Sequence, residues 1–250
     1  GIHSTEYLLK WIEEQNRDLK VKIERIALDE SNFWFYDEKS HCITNNSRSF
    51  FSICGIQQYE DDILVNEQPI IIQDEIGLLG IICKKINGIL HFLVQAKIEP
   101  GNINKVQLSP TIQATKSNFT QKHGGKKPTF FEYFIKATPK QILVDQIQSE
   151  QSSRFYKKRN RNVILITDED IVEPFSHKWM TLGQIKELMH YNNIVNMDTR
   201  TVLSCIPFSL MDIKKSELKE IKNNCNDKTL LNSIIGIANQ RLLIEIYHNF

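Results

Sequence analysis

The amino-acid sequence predicts an α+β domain, on three observations. Short segments with period-two alternation fill the first two thirds of the chain, and the clearest pair flanks Asn87-Gly88. Helix-start chemistry is concentrated later, around Thr181-Leu-Gly-Gln184 and Asp198, so strands come first and helices late. A chain of 250 residues with 41% hydrophobic and 24% charged content is long enough to bury one large core or two small ones.

Taken in order, Ser4 caps a helix over residues 4–16 that stacks Tyr7, Leu8, Trp11, Ile12 and Gln15 on one stripe. Residues 21–28 alternate weakly as a strand, and Phe33-Trp-Phe-Tyr36 reads as an aromatic core cluster. Residues 50–54 predict a short strand ending at Gly55, followed by a loop or irregular strands over residues 56–74. Residues 78–86 and 89–99 form a hairpin, because Asn-Gly takes the positive φ of a type I′ turn. Pro100-Gly101-Asn102 continues it into a three-strand antiparallel meander. Residues 116–128 are a loop whose His123-Gly-Gly-Lys-Lys-Pro128 run lacks the strand-loop-helix frame of a phosphate cradle. Residues 130–136 are strand or helix, 141–147 strand, 149–158 a short helix and 163–167 a buried strand. Thr181 and Gln184 make a capping box for a helix through about His190, and Asp198 caps another ending near Pro207. The chain thus divides into a helix (1–20), a main domain (21–207) and a helical tail (208–250). The tail's apolar face of Leu230, Leu231, Ile234, Ile235, Ala238 and Leu242 calls for a partner surface, a second subunit or a neighbouring domain.

The stretch from Leu93 to Thr115 concentrates polar chemistry on one side. Gln95, Lys97 and Glu99 alternate with Val94, Ala96 and Ile98, and Gln107, Ser109, Thr111, Gln113 and Thr115 alternate with Val106, Leu108, Ile112 and Ala114. A hairpin symmetric about Asn102 sets Lys97 opposite Gln107 and Gln95 opposite Ser109. Such a face is either solvated or a platform for a polyhydroxylated ligand, and its Gln, Ser and Thr content suits the latter.

A formal net charge of +1 gives no bulk attraction to polyanions, so any anion site is local. Arg154, Lys157, Lys158, Arg159 and Arg161 crowd together beside Phe155 and Tyr156, open to three readings: a solvated face, a nucleic-acid patch or a diphosphate clamp. The near-neutral chain weakens the nucleic-acid reading, and a diphosphate needs only two or three placed cations. Five cysteines without a Cys-x-x-Cys pair speak against a disulfide framework or zinc site and predict reduced thiols in the cytoplasm. The histidines lack metal-ligand spacing, and His91 reads as a hydrogen-bonded strand residue within reach of the platform. No run approaches the ~20 apolar residues of a membrane span, and no signal peptide is expected at the start.

The run Gln95-Ala-Lys-Ile-Glu-Pro-Gly-Asn102, with Val106-Gln-Leu-Ser-Pro-Thr-Ile-Gln-Ala-Thr115 and Ser117-Asn118, resembles the NDP-hexose 2,3-dehydratases of deoxysugar biosynthesis. Gln148-Ser-Glu-Gln151, Arg154-Phe-Tyr-Lys-Lys-Arg-Asn-Arg-Asn162 and Val195-Asn-Met-Asp-Thr-Arg-Thr-Val-Leu-Ser-Cys-Ile-Pro207 extend the resemblance from about Val21 to Pro207. It implies a Nudix-like fold, a mixed sheet flanked by helices, without the hydrolytic Nudix box, since the chain has no Arg-Glu dipeptide. It implies removal of water from a dTDP-4-keto-6-deoxyhexose with no external cofactor and no metal, or, alternatively, a catalytically silent nucleotide-sugar-binding or assembly module of the same fold. The family usually carries two tandem copies of this unit, and one is seen here; a homodimer is expected to recreate the pair, and a downstream 3-ketoreductase to take the product. Glu99 or Glu150 is implied as base, Lys97 as enolate stabiliser, and Tyr156 or a protonated carboxylate as proton donor. Gln95, Asn102, Gln107, Ser109, Thr111, Gln113, Thr115, Asn118 and Asn162 are implied at sugar and nucleotide, and Arg154, Lys158, Arg159 and Arg161 at the diphosphate. Asn196 and Arg200 join them through the third run. Asp198 has an equal claim as a helix cap paired with Arg200, and Glu99 as the residue that ends its strand.

Overall fold

A computed structural model of the chain describes residues 1–115 and 128–206. The expectations for the 116–127 loop, Asn118 and the 208–250 tail lie outside the described residues.

Helix α1 (Thr5–Arg17) begins where Ser4 accepts from the Tyr7 amide at 3.1 Å. It buries Leu8, Trp11 and Ile12 in the main core, so it shares the core of the domain that follows. Strands β1 (Trp34–Asp37), β2 (Cys42–Asn45), β3 (Ser52–Glu60) and β4 (Ile63–Ile72) form an antiparallel sheet in that order. The larger sheet contains β5 (Gly77–Ile86), β6 (Ile89–Ile98), β7 (Val106–Ser109), β8 (Ile112–Ala114), β9 (Ile142–Ser149), β10 (Arg159–Ile166) and β11 (His177–Thr181). Its order is β11-β6-β5-β10-β9, with β7 on β6 and β8 on β5. Because β10 runs parallel to β5 and the other pairs are antiparallel, the sheet is mixed. Helices α2 (Phe131–Lys136), α3 (Leu182–Leu188) and α4 (Met197–Ser204) complete the α+β fold that the sequence predicts.

Strand alternation divides the core into two layers. Leu79, Ile81, Phe92, Val94, Leu108 and Ile164 point to one face, beneath α1, α3 and α4. Leu78, Ile82, Leu93, Ile112, Val163 and Leu165 point to the other, where Phe131 and Phe134 of α2 cover them. Gly80 lies against the Phe134 ring, a place where a Cβ would collide.

The predicted hairpin at Asn87-Gly88 is present, with φ of 50° and 79° at the two turn residues. The meander is not. Gln95 of β6 faces His177 of β11 on one side and Ser109 of β7 on the other, so β7 lies on the same edge of β6 as β5. Strands β5 and β6 pair only from Ile82 and Leu93 toward the turn, then diverge, and β7 and β8 fill the opening. Thr111 sits at the point of the fork, where its hydroxyl accepts from the Ile82 amide at 2.9 Å and donates to the Leu93 carbonyl. Its own carbonyl accepts from His177 Nε2 at 3.1 Å, while His177 Nδ1 accepts from the Ser176 hydroxyl at 3.0 Å. That pairing belongs to a neutral ring, and burial lowers the His177 pKa to match.

The first third of the chain departs furthest from expectation. Residues 21–28 form no strand, and residues 56–74 form the long β3–β4 hairpin in place of a loop, with β3 continuing through Gly55. Both strands are largely exposed, so the two-sided polar alternation of Gln57, Gln58, Glu60, Asn66 and Glu67 conceals them. The aromatic run at 33–36 is no core cluster: Phe33, Phe35 and Tyr36 are exposed, while Trp34 packs against Phe51 with ring centroids 4.6 Å apart. Asp37 is fixed by Arg48 at 2.8 Å and Ser40 at 2.7 Å, and the Arg48 guanidinium holds its carboxyl well below the usual range. Cys42 and Cys54 form a disulfide, Cα–Cα 4.7 Å, which corrects the expectation of reduced thiols at these two positions. Pairing of Ile43 with Ile53 puts the two cysteines side by side across β2 and β3, a closeness their sequence spacing does not reveal.

The 149–158 segment is not a helix. The Ile71 amide donates to the Arg154 carbonyl at 2.8 Å and the Tyr156 amide to the Ile71 carbonyl at 2.9 Å, so the edge of β4 takes the segment's backbone groups. Helix α3 has the predicted Thr181/Gln184 box and ends at Met189. Helix α4 is capped by Asn196, whose side chain accepts from the Thr199 amide at 2.8 Å, and not by Asp198.

Candidate functional site

The register expected about Asn102 is the one found: Lys97 faces Gln107 and Gln95 faces Ser109. The fork then divides the expected platform into two arms. Gln95, Lys97, Gln107 and Ser109 belong to the β6–β7 arm, whereas the bend at Pro110-Thr111 carries Gln113 and Thr115 to the edge of β5. Glu99, just past β6, joins them: its Oε1 accepts from Lys97 Nζ at 3.2 Å and from Gln113 Nε2 at 3.0 Å.

Glu150 follows the end of β9, and its Oε2 accepts from Asn160 Nδ2 on β10. Asn160 in turn stands over Gly77, where an added Cβ would lie 2.5 Å from its Oδ1. A third carboxylate that the sequence left ambiguous completes the group. Half-buried Asp198 in the first turn of α4 is pushed up to about 6 by burial and by Glu150 and Glu99, with Lys97 pulling the other way. Glu150 past β9, and Glu99 and Lys97 at the end of β6, therefore act on Asp198 of α4, with three separate segments contributing to the group.

Helix α4 is fastened to β7. Asn196 Nδ2 donates to Ser109 Oγ at 2.9 Å, the Asn196 amide donates to the Leu108 carbonyl at 2.9 Å, and Thr199 Oγ1 donates to the same carbonyl at 3.0 Å. Ser109 and Asn196 are thus buried partners of each other, and Thr111 holds the fork. Asn102 bonds the Lys105 carbonyl within its own turn. Arg200 donates to the Val195 and Met189 carbonyls at 3.1 and 3.3 Å and forms no pair with Asp198.

Beside Glu150 a cleft of about 380 Å³ is lined by Ser149, Glu150, Ser152, Phe155, Lys157, Lys158 and Arg159. The basic residues differ in what they offer. Arg159 and Arg154 are exposed, and Arg159 lines the cleft. Lys158 is buried, and its ammonium donates to the Glu75 carbonyl, burial lowering its pKa. Arg161 grips Asp145 with two bonds of 2.7 and 2.6 Å and alternates onto the opposite face from Asn160. Tyr156 is exposed, with Lys157 Nζ 5.0 Å from its ring centroid. Asn162 is wholly buried between Gln146 and Asn160 carbonyls, and its Oδ1, like Gln113 Oε1, lacks a partner among the described residues. His91 is a buried strand residue whose Nδ1 bonds the Ile89 carbonyl at 2.9 Å. Among the described residues no group of three His, Cys, Asp or Glu side chains is placed to hold a metal ion, and no helix is long and apolar enough to cross a membrane.

A cleft with cations on its rim and a carboxylate cluster beside it is equipped for an anionic ligand that exchanges protons. The chain belongs to the NDP-hexose 2,3-dehydratase family, whose model matches residues 5–206. It is 44% identical over 212 residues to a dTDP-4-dehydro-6-deoxy-alpha-D-glucopyranose 2,3-dehydratase of Amycolatopsis orientalis, covering 82% of this chain and 45% of that protein. A protein of the same name from Saccharopolyspora spinosa is 44% identical over 200 residues, 79% of this chain and 41% of that one. The chain therefore spans less than half the length of these relatives. Among solved structures, C. elegans Ap4A hydrolase aligns with 54% of this chain and 96% of its own, at a TM-score of 0.32 and 14% identity, too slight a likeness to bear on function.

Proposed function

We propose that the chain is a hydro-lyase that removes water across C2–C3 of a dTDP-linked 4-keto-6-deoxyhexose to give a 3,4-diketo-2,6-dideoxy sugar. The observation that carries this reading is Glu99, held at one oxygen by Lys97 and Gln113 beside two further carboxylates, in a chain of the 2,3-dehydratase family. The C4 ketone acidifies the C3 proton, and Glu99 takes it as general base. Lys97 offsets the charge that builds on the enolate oxygen. The pair of electrons then returns toward C2, the C2 hydroxyl leaves, and the resulting C3 enol becomes the ketone. One carbon is reduced and its neighbour oxidised within the same sugar, so the equation balances without an external electron carrier.

Arg159 and Lys157 supply cations for the diphosphate along the cleft, exposed Arg154 adds a third next to Phe155 of its lining, and Gln95, Gln107 and Thr115 supply polar groups for sugar and nucleotide. The roles of Lys158, Arg161, Ser109, Thr111, Asn102, Asn196 and Arg200 are better matched to holding the frame around the ligand, since their polar atoms are engaged with other parts of the protein, and Asn162 is fixed there through its Nδ2. The same reading has the domain that shares its core with α1 as the catalytic unit, in place of residues 21–207 alone, with residues 208–250 as a dimerisation arm, two copies pairing as a homodimer in the cytoplasm, and a 3-ketoreductase consuming the product.

Incubation with dTDP-4-keto-6-deoxyglucose tests the function by mass spectrometry. Loss of one water from the nucleotide sugar is the expected result. Saturable binding with unchanged substrate would instead establish a silent nucleotide-sugar-binding module.

A further inference from the structure

We propose that Asp198 is the acid that protonates the departing C2 hydroxyl, an assignment that rests on the dehydration proposed above. Sequence reasoning ties this residue to helix capping, but Asn196 has that task. The first turn of α4 is pinned to β7 on both sides of Asp198, by Asn196 at Ser109 and by Thr199 at the Leu108 carbonyl. A carboxyl on so fixed a mount is suited to a directed proton transfer.

The charged groups facing Asp198 are Glu150 beyond β9 and Glu99 and Lys97 at the end of β6. On β10, Arg161 is tied to Asp145, and the Lys158 ammonium before it is tied to Glu75. Three carboxylates in one partly buried site do not all ionise at neutral pH without cost, and the environment decides which keeps its proton. The Glu99 carboxylate accepts from two donors on one oxygen and Glu150 accepts from Asn160, whereas Asp198 sits more buried, beside both of them. Burial and the two neighbouring carboxylates raise Asp198 to about 6, which makes it the member of the group that gives up and retakes a proton most readily near neutral pH. Base and acid are thereby divided between two carboxylates of different surroundings.

In the step itself, Glu99 accepts the C3 proton and the C3–H electrons become the enolate. Those electrons form the C2–C3 double bond as the C2–O bond breaks. Asp198 gives its proton to the leaving oxygen, which departs as water. The proton on Glu99 returns to Asp198 through solvent, so the enzyme is restored and the sugar has lost only water.

Asp198→Asn in deuterated water, with dTDP-4-keto-6-deoxyglucose, separates the two half-steps. The expected result is a fall in water release of about 100- to 10,000-fold with deuterium still entering C3. Asp198→Glu, which retains an acid, is expected to recover part of the release. The assignment is overturned if Asp198→Asn releases water at the wild-type rate, if it loses exchange and release together while Asp198→Glu restores neither, or if Asp198→Glu does no better than Asn. A wild-type protein that neither exchanges C3 nor dehydrates would sink the functional reading itself and this assignment with it.

Discussion

Gln113 donates to Glu99 across the fork, Nε2 to Oε1 at 3.0 Å, although Gln113 lies on a strand paired with β5 and Glu99 just past the end of β6. The contact joins the two arms of the sheet at Glu99, one of the two carboxylates whose charge raises Asp198. Its geometry gives the Glu99 carboxyl a fixed direction, which a general base requires.

Glu99→Gln is therefore expected to lower turnover by about 100- to 10,000-fold, with dTDP-sugar affinity changed only a few-fold. Single-turnover assays with parallel calorimetric binding check this. If Glu99→Gln turns over normally while Glu150→Gln is dead, the base is Glu150.

Thr111→Val removes both bonds at the point of the fork, leaving the Ile82 amide and the Leu93 carbonyl buried without that hydroxyl. A loss of about 1–3 kcal/mol in urea unfolding is expected, largely recovered in Thr111→Ser. Thr111→Val as stable as wild type would mean that the fork is held by other contacts.

Gly77→Ala drives a methyl into Asn160, the residue that holds Glu150. Because Asn160 is half-buried and its amide end can shift, the unfolding midpoint is expected to fall little while turnover falls about tenfold or more. Equal and large losses in both would show a packing role in place of a positioning one.

Asp198 makes stability depend on pH in a definite direction. A carboxyl raised from 3.8 to about 6 binds its proton more tightly in the folded state, so stability is full below pH 3.8 and is lost as pH rises through about 6. The gap corresponds to about 3 kcal/mol. Asp198→Asn is thus expected to be up to about 3 kcal/mol more stable than wild type at pH 8 and nearly equal to it at pH 3.5. Urea titrations at the two pH values measure it; a variant less stable at pH 8 reverses the sign.

Much of this arrangement was legible beforehand where local chemistry decides. Asn87-Gly88 demands positive φ, Thr181 and Gln184 satisfy each other's amides, and the Lys97–Gln107 register follows from the length of one turn. What escaped depends on contacts distant in sequence. No local pattern reveals that β5 and β6 diverge, so Gln113 and Lys97 read as one face when they stand on two arms. Asp198 and Arg200, adjacent on paper, are separated because Arg200 finds backbone carbonyls. The Arg154 to Arg161 run looked uniform, yet burial and Asp145 give its members different tasks.

The most direct measurement is proton NMR of the protein with dTDP-4-keto-6-deoxyglucose in deuterated water. Disappearance of the C3 proton signal, followed by loss of the C2 hydroxyl and appearance of the 2-deoxy-3,4-diketo sugar, is the predicted result. An unchanged C3 signal under saturating binding would contradict the proposed activity and leave a site that holds nucleotide sugars without transforming them.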